Sequence, residues 1–343
     1  MSNTAQGIRF LLIAASLVVI IAGLRAAAPI ALPFALSVIV AILSLPLLIW
    51  LQGKRVPAPL AVLLTILAIV VCLGAIVLIV GGSVRSFTQE VPKYTVRLQQ
   101  MKGEVLAWVQ SKGIDVSPGI APDVINPGRV MSLVRQMVNS LASVLSNFVL
   151  VIITAIFILF EITQFPQKLR LAMGRQDGDS ETFTKIILEV QRYLGLKTLV
   201  SLATGVLIGV WVAILGVDFP VLWGVIAFLF NYIPNIGSIM AAVPTVLLAL
   251  VQLGPGTAVF VALGYLVVNV VLGTFVEPYL MGRTLGLSTL VIFLSLIFWG
   301  WLWGPVGMLL SVPLTMVVKI MLEHTEDFRW VAVLLGPSPR QEG

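Results

Sequence analysis

Apolar residues in this chain come in long runs, and runs near 20 residues suffice to cross roughly 30 Å of hydrocarbon as helix. Three such runs open the sequence, at about Ile8 to Leu24, Ile30 to Leu51 and Leu60 to Val80. Arg9 before the first and Ala26-Ala27-Ala28 after it imitate a secretory signal with its small-residue cleavage site. The segment is read as a retained helix. Lys54-Arg55 lie between the second and third runs, so the positive-inside rule makes that loop cytoplasmic, with the N-terminus inside and Gly81-Gly82 outside.

From Ser83 to Asn147 charge returns: seven Lys or Arg and four Asp or Glu occur between Arg85 and Arg135, which marks an extramembrane segment. Its first half places Phe87, Val91, Tyr94, Leu98, Met101, Val105 and Trp108 at alternating steps of four and three, the spacing of one helical stripe. Such a seam wants a partner: a neighbouring helix, another subunit or the membrane surface. Leu133, Met137, Leu141, Val144 and Phe148 continue a second stripe into a fourth span at about Val149 to Phe160. Charge is dense again between Glu161 and Lys197, around a turn at Gly174 to Asp179, and predicts a cytoplasmic helical connection.

Thr198 to Val318 holds just three charged side chains, Asp218, Glu277 and Arg283. Each must lie at an interface or serve a function. The same stretch is broken twice in a similar way. One break reads Phe230-Asn231-Tyr232-Ile233-Pro234-Asn235-Ile236-Gly237 and is followed by Val243-Pro244; the other reads Trp301-Leu302-Trp303-Gly304-Pro305-Val306-Gly307 and is followed by Val312-Pro313. Arms of about 12 to 16 residues are too short to cross comfortably, and a Pro-Gly tip frees backbone groups that lipid cannot satisfy. Re-entrant hairpins buried against other helices solve both problems. Single bent spans, or pairs of tilted ones, are the competing arrangement.

The predicted fold is therefore all-α, a polytopic membrane protein with about five to eight spans and two inverted re-entrant helical hairpins in its C-terminal half. Its segments are three N-terminal spans (1–82), the extramembrane amphipathic part (83–147), the fourth span (148–163) and the cytoplasmic connection (164–197). A transport core with both hairpins (198–320) and a cytoplasmic tail (321–343) complete it.

Composition agrees: 59% of the 343 residues are hydrophobic and 10% charged, against roughly 25% charged in a soluble globule. The net charge of +6 is spread over many short segments, as expected for a multi-span inner-membrane protein and with no case for nucleic-acid binding. Cys72 is the single cysteine, so no intramolecular disulfide forms, and His324, beside Glu323, Glu326 and Asp327, lacks the partners of a metal site or triad. Gly195-Leu196-Lys197-Thr198 lacks the upstream glycine and the paired Gly-Lys of a phosphate loop. No enzyme, cofactor or metal is expected.

The candidate chemistry sits at the two breaks. Unwound backbone at Pro234 to Gly237 and at Gly304 to Gly307 offers N–H and C=O groups, and Asn231, Tyr232, Asn235 and Ser238 add neutral hydrogen-bonding side chains. This set suits a small, uncharged, hydroxyl-rich solute or a bare cation held by carbonyls. The expected substrate-binding residues are Asn231, Tyr232, Pro234, Asn235, Ile236, Gly237, Asn269, Gly304, Pro305 and Gly307. Simple helix termination by Asn and Pro explains the same residues. Glu277 and Arg283 are the ion-coupling candidates, or else an interfacial ion pair. Asp218 before Phe219-Pro220 is expected to cap the first hairpin arm, and Trp299, Trp301 and Trp303 to pack at an interface.

Asp218-Phe219-Pro220 through Leu222-Trp223-Gly224, Asn231 to Gly237, Glu277-Pro278 with Leu280-Met281-Gly282, Leu285-Gly286-Leu287-Ser288, and Gly304-Pro305-Val306-Gly307 to Val312-Pro313 resemble the autoinducer-2 exporter family of bacterial membrane proteins. The resemblance spans nearly the whole chain and is dense after Lys197. It implies an exporter of a small signal molecule in some members and a sodium/proton antiporter in others. It also implies a homo-oligomer, a pentamer, with mobile hairpins on a scaffold of other helices. Three functions follow: export of a small polar solute with autoinducer-2 as candidate, monovalent cation/proton antiport, or a non-transporting membrane scaffold.

Overall fold

The computed structural model describes residues 3–112, 132, 148–173, 177–234, 236–281, 286–323, 325 and 328–336. Every regular element among them is helical: α1 (Asn3–Ala26), α2 (Ala28–Gly53), α3 (Ala58–Ser111), α4 (Phe148–Met173), α5 (Asp177–Ile214), α6 (Pro220–Phe230), α7 (Gly237–Leu253), α8 (Pro255–Val268), a π-helix (Asn269–Val276), α9 (Glu277–Met281), α10 (Thr289–Glu323) and α11 (Arg329–Leu335). Five of these stretches are long and apolar enough to cross a membrane, namely Ala28–Gly53, Ala58–Met101, Ile187–Ile214, Pro255–Met281 and Thr289–Glu323. The chain is an integral membrane protein. It divides into two compact units, one of residues 1–66, 149–194 and 283–343, the other of 67–148 and 195–282.

In the first unit α10 is one helix by hydrogen bonding but not by direction. Gly304 stands at φ 67, ψ −150, outside helical space and in a region open to glycine alone. Trp299 Nε1 donates to Thr315 Oγ1 at 3.0 Å, yet sixteen residues of straight helix would separate the two by about 24 Å. The chain therefore folds back at Gly304 into a helical hairpin. Trp299, Leu302 and Trp303 form a buried cluster against Ile21, Leu24, Ala28, Ala31 and Leu32 of α1 and α2. Pro29 lacks the N–H that would continue α1 into α2, and the Leu24 carbonyl at this break is taken by Trp303 Nε1 at 3.0 Å. Trp299 and Trp303 are thus hydrogen-bonded core residues; of the three tryptophans expected at an interface, only Trp301 is well exposed, with the Arg25 guanidinium 5.0 Å from its ring centre. Ser37 of α2, fully buried, bonds the carbonyls of Pro33 and of Val151 in α4.

The second unit contains the other hairpin, α6 and α7, with α8, the π-helix, the later part of α5 and most of α3. At 54 residues α3 is about 80 Å long, so the third span and the amphipathic stripe are one unbroken helix through Gly81-Gly82. The seam finds its partner in its own chain. Phe87 and Trp223 are both fully buried, and the Phe87 ring meets Phe219 and Trp223 edge-on at 5.8 and 6.1 Å between centres. Val91, Tyr94 and Leu98 are also buried. The side chains of Val105 and Trp108, and the whole second stripe from Leu133 to Val144, lie outside the described residues.

Asp218 does not cap α6. Phe219 occupies the cap position in the left-handed region, φ 59, with no side-chain oxygen to offer, which leaves the Asp218 carboxylate to accept Tyr94 OH at 2.7 Å. The Asp218 carbonyl accepts Trp223 Nε1 and its N–H donates to Gln252 at the end of α7. One residue thereby fastens both feet of the hairpin to α3. Tyr94→Phe removes a hydrogen bond to a carboxylate and is expected to lower stability in detergent by about 1.5–3 kcal/mol. An unchanged melting curve would show that Asp218 needs no clamp.

Candidate functional site

The first tip is a tight turn that consumes its own donors. Ile233 N–H reaches the Phe230 carbonyl at 2.8 Å, Ile236 N–H the Pro234 carbonyl at 2.7 Å and Gly237 N–H the Ile233 carbonyl at 3.2 Å. Gly237 is obligatory there, because a Cβ would stand 1.8 Å from the Phe230 carbonyl oxygen. Asn231, 9% exposed, donates to Ser201 Oγ at 2.9 Å, and Tyr232 OH donates to Thr198 Oγ1 at 2.7 Å. Both side chains therefore turn to α5 and fasten the tip to it. Pro234 is partly exposed, Ile236 is exposed, and Asn235 lies outside the described residues.

Directly behind this tip lies a cleft of about 360 Å³ between α7 and α8, with Ser238, Val246, Tyr265 and Asn269 among its lining residues. A recess of about 10 Å³ runs on from the same Ser238, Tyr265 and Asn269 towards Thr204 of α5 and Ala227 of α6, enough for about one water. Tyr265 is held by Thr245, whose hydroxyl is 2.9 Å from its own. Asn269 opens the π-helix, a local widening frequent at functional sites. Its Oδ1 lies 3.2 Å from where a Cβ on Gly273 would be, so that glycine leaves room for the amide. The cleft is an open apolar groove, with Ile239, Val243 and Leu266 of its lining well exposed, and carries a hydroxyl and an amide at one end.

One π-helix length beyond Asn269, Glu277 Oε1 meets Lys197 Nζ at 2.6 Å. The lysine side chain is 4% exposed and the glutamate 19%. Glu277 is thus paired across the unit with α5, 80 residues away in sequence, while Arg283 lies outside the described residues. Lys197, Ser201 and Thr204 recur at helical spacing on one face of α5, so a single stripe joins the ion pair, the bond to Asn231 and the recess. Sequence reasoning assigned Lys197 to the cytoplasmic connection. Its signal was a lone lysine between Leu196 and Leu199-Val200, which reads as an apolar face interrupted by one charge.

Gly304, Pro305 and Gly307 form the other hairpin's tip, in the first unit. A Cβ on Gly307 would lie 2.0 Å from the Trp299 carbonyl oxygen, the same close approach that Gly237 makes. Two helical hairpins, each closed by a glycine against the carbonyl of its own first arm, agree with the pattern of Pro-Gly breaks in the sequence.

Comparison with known proteins identifies relatives of this chain. The description "AI-2E family transporter" matches residues 14–327. The AI-2 transport protein TqsA of Escherichia coli (strain K12) is 40% identical over 333 residues, 97% of either chain. The putative transport protein YhhT of the same strain is 37% identical over 331 residues, 96% of this chain and 95% of its own. A putative transport protein of Haemophilus influenzae is 37% identical over 98% of each. With a helical hairpin in each unit, and with a family model and relatives that match nearly the whole length, this chain belongs to the AI-2E family of transporters.

Proposed function

We propose that this protein exports a small polar solute, autoinducer-2 or a related signal molecule, across the bacterial inner membrane, and that the solute binds in the cleft behind the first hairpin tip. The observation that carries the reading is the cleft itself, whose polar end is Ser238 and Asn269, in a chain 40% identical to an AI-2 transport protein. Its volume of about 360 Å³ falls within the range of small-molecule sites, roughly 300–1,000 Å³. A solute rich in hydroxyls and carbonyls needs both a donor and an acceptor, which an amide and a hydroxyl supply.

Both hairpins are re-entrant on this reading. The 11-residue arm α6 spans about 16 Å, roughly half of the hydrocarbon thickness. The hairpins form the moving part of an elevator-like transporter, and the remaining helices form its scaffold. The N- and C-termini are cytoplasmic, in keeping with Lys54-Arg55 in the loop after α2, and the protein works as a homo-oligomer, a pentamer by family resemblance. Antiport of a cation against protons is the weaker reading, because the carboxylate it would use, Glu277, is already engaged by Lys197. A non-transporting scaffold leaves the cleft without a purpose.

The test is flux of labelled autoinducer-2 from vesicles carrying the purified protein. Asn269→Ala and Ser238→Ala are each expected to reduce it about tenfold, the effect of roughly 1.4 kcal/mol lost from a polar contact, with expression and melting temperature unchanged. Full flux in both variants would move the solute out of this cleft. Absence of flux in the parent protein would reject autoinducer-2 as its substrate.

A further inference from the structure

Lys197 and Glu277 belong to two helical stretches long and apolar enough to cross a membrane, Ile187–Ile214 and Pro255–Met281. Lys197 stands where the charged part of α5, with Glu189 and Arg192, gives way to the apolar run from Thr198, and Glu277 directly follows the apolar run that ends at Val276. A buried charged pair is weak evidence of stabilisation, since apolar residues of similar size often do as well. Its worth must come from what it replaces. A carboxylate largely withdrawn from water has three ways to be neutralised: a bound proton, a bound metal cation, or a fixed cation of the protein. Here the third is realised, with the ammonium 2.6 Å from Glu277 Oε1 and almost wholly withdrawn from solvent.

We propose that Lys197 is a built-in counter-cation that occupies the position a coupling sodium ion would otherwise take at Glu277, and so makes the transport unit independent of sodium. The stripe on α5 supports the assignment. Thr198 and Ser201 hold the hairpin tip through Tyr232 and Asn231, so the residues flanking Lys197 fix its backbone in register with the tip. The π-helix between Asn269 and Glu277 puts the solute cleft and the ion pair on one continuous helix. A cation at Glu277 would thus be placed to report on the tip and the cleft together. With an ammonium covalently fixed there, the pair stays neutral whether or not sodium is present, and solute moves without a co-transported ion. The inference rests on membership of a transporter family, and not on which solute is carried.

Binding of ²²Na⁺ to the full-length protein in lipid nanodiscs tests it, with choline chloride holding the ionic strength constant. The parent protein is expected to bind sodium at background level and to melt at the same temperature in sodium and choline. Lys197→Ala, which frees the space beside the carboxylate, is expected to bind sodium at least tenfold above the parent and to melt higher in sodium than in choline. Both gains should vanish in Lys197→Ala/Glu277→Gln. Sodium binding by the parent that Glu277→Gln abolishes would overturn the proposal, as would a folded Lys197→Ala protein that binds none. Should Lys197→Ala fail to assemble, the parent arm and the charge-swapped Lys197→Glu/Glu277→Lys variant decide. Sodium-independent melting in both supports a fixed cation, and sodium-dependent melting in either refutes it. None of these readouts involves the solute, so a failed flux assay with autoinducer-2 leaves them intact.

Discussion

Gly237→Ala is expected to prevent accumulation of folded protein, and Gly307→Ala to do the same from the other hairpin. A Cβ on Gly237 would lie 1.8 Å from the Phe230 carbonyl oxygen and one on Gly307 2.0 Å from that of Trp299. Neither neighbour is a flexible side chain that can swing aside. Each is backbone at the end of the first arm, so relief requires opening the turn, and at Gly237 that turn also positions Asn231 against Ser201 and Tyr232 against Thr198. Losses above about 4 kcal/mol are reserved for such collisions and for buried unpaired charge, and they exceed much of the stability of an ordinary domain. Gly195→Ala is the control. That glycine lies inside α5 with nothing within 4 Å of where a Cβ would stand, so alanine should be neutral or stabilising by up to about 1 kcal/mol. Fluorescence-detected size exclusion and melting in detergent separate the cases. Parental yield and melting for Gly237→Ala would mean that the tip is not closed in this way.

The hairpins were legible because their cause is local. Proline and glycine break a helix wherever they cluster, so Pro234 to Gly237 and Gly304 to Gly307 announced turns that the backbone of Gly304 and the Trp299 to Thr315 bond bear out. The spans were legible for the same reason: an apolar run from Ile30 to Leu51 became a helix from Ala28 to Gly53. Pairings between distant segments were not. Glu277 was matched by nearness in sequence to Arg283, which lies outside the described residues, and its bond to Lys197 of α5 had no local signal. Asp218 had the residue type and position of a helix cap, but the left-handed Phe219 after it turned the carboxylate towards Tyr94 of α3. Gly81-Gly82 looked like the end of a span because glycine is a poor helix former, and yet about 1 kcal/mol each does not end a helix whose two flanks are both strongly helical. The π-helix leaves no trace in apolar periodicity, and so the cleft behind it, with Ser238 and Asn269 at one end, was foreseen only as two scattered polar residues.

In sodium-free buffer, Glu277→Gln is expected to be among the most destabilising conservative changes in the protein, and Lys197→Met to be milder. Each leaves one charge of the pair behind. Stranding a buried charge costs about 3–5 kcal/mol, whereas replacing both partners by neutral residues is often without cost. Burial decides the order: the ammonium of Lys197, 4% exposed, has almost no water to turn to, while the Glu277 carboxylate, at 19%, keeps some. Lys197→Met/Glu277→Gln should therefore recover most of what either single change loses, with a coupling energy of about 2–4 kcal/mol. Chemical unfolding of the three variants and the parent in the same detergent measures the cycle. Additive losses would show that the two side chains do not depend on each other for neutrality. Recovery in the double variant, with sodium rescuing Lys197→Met but not Glu277→Gln, would establish that what Glu277 requires is a cation, and that the protein carries its own.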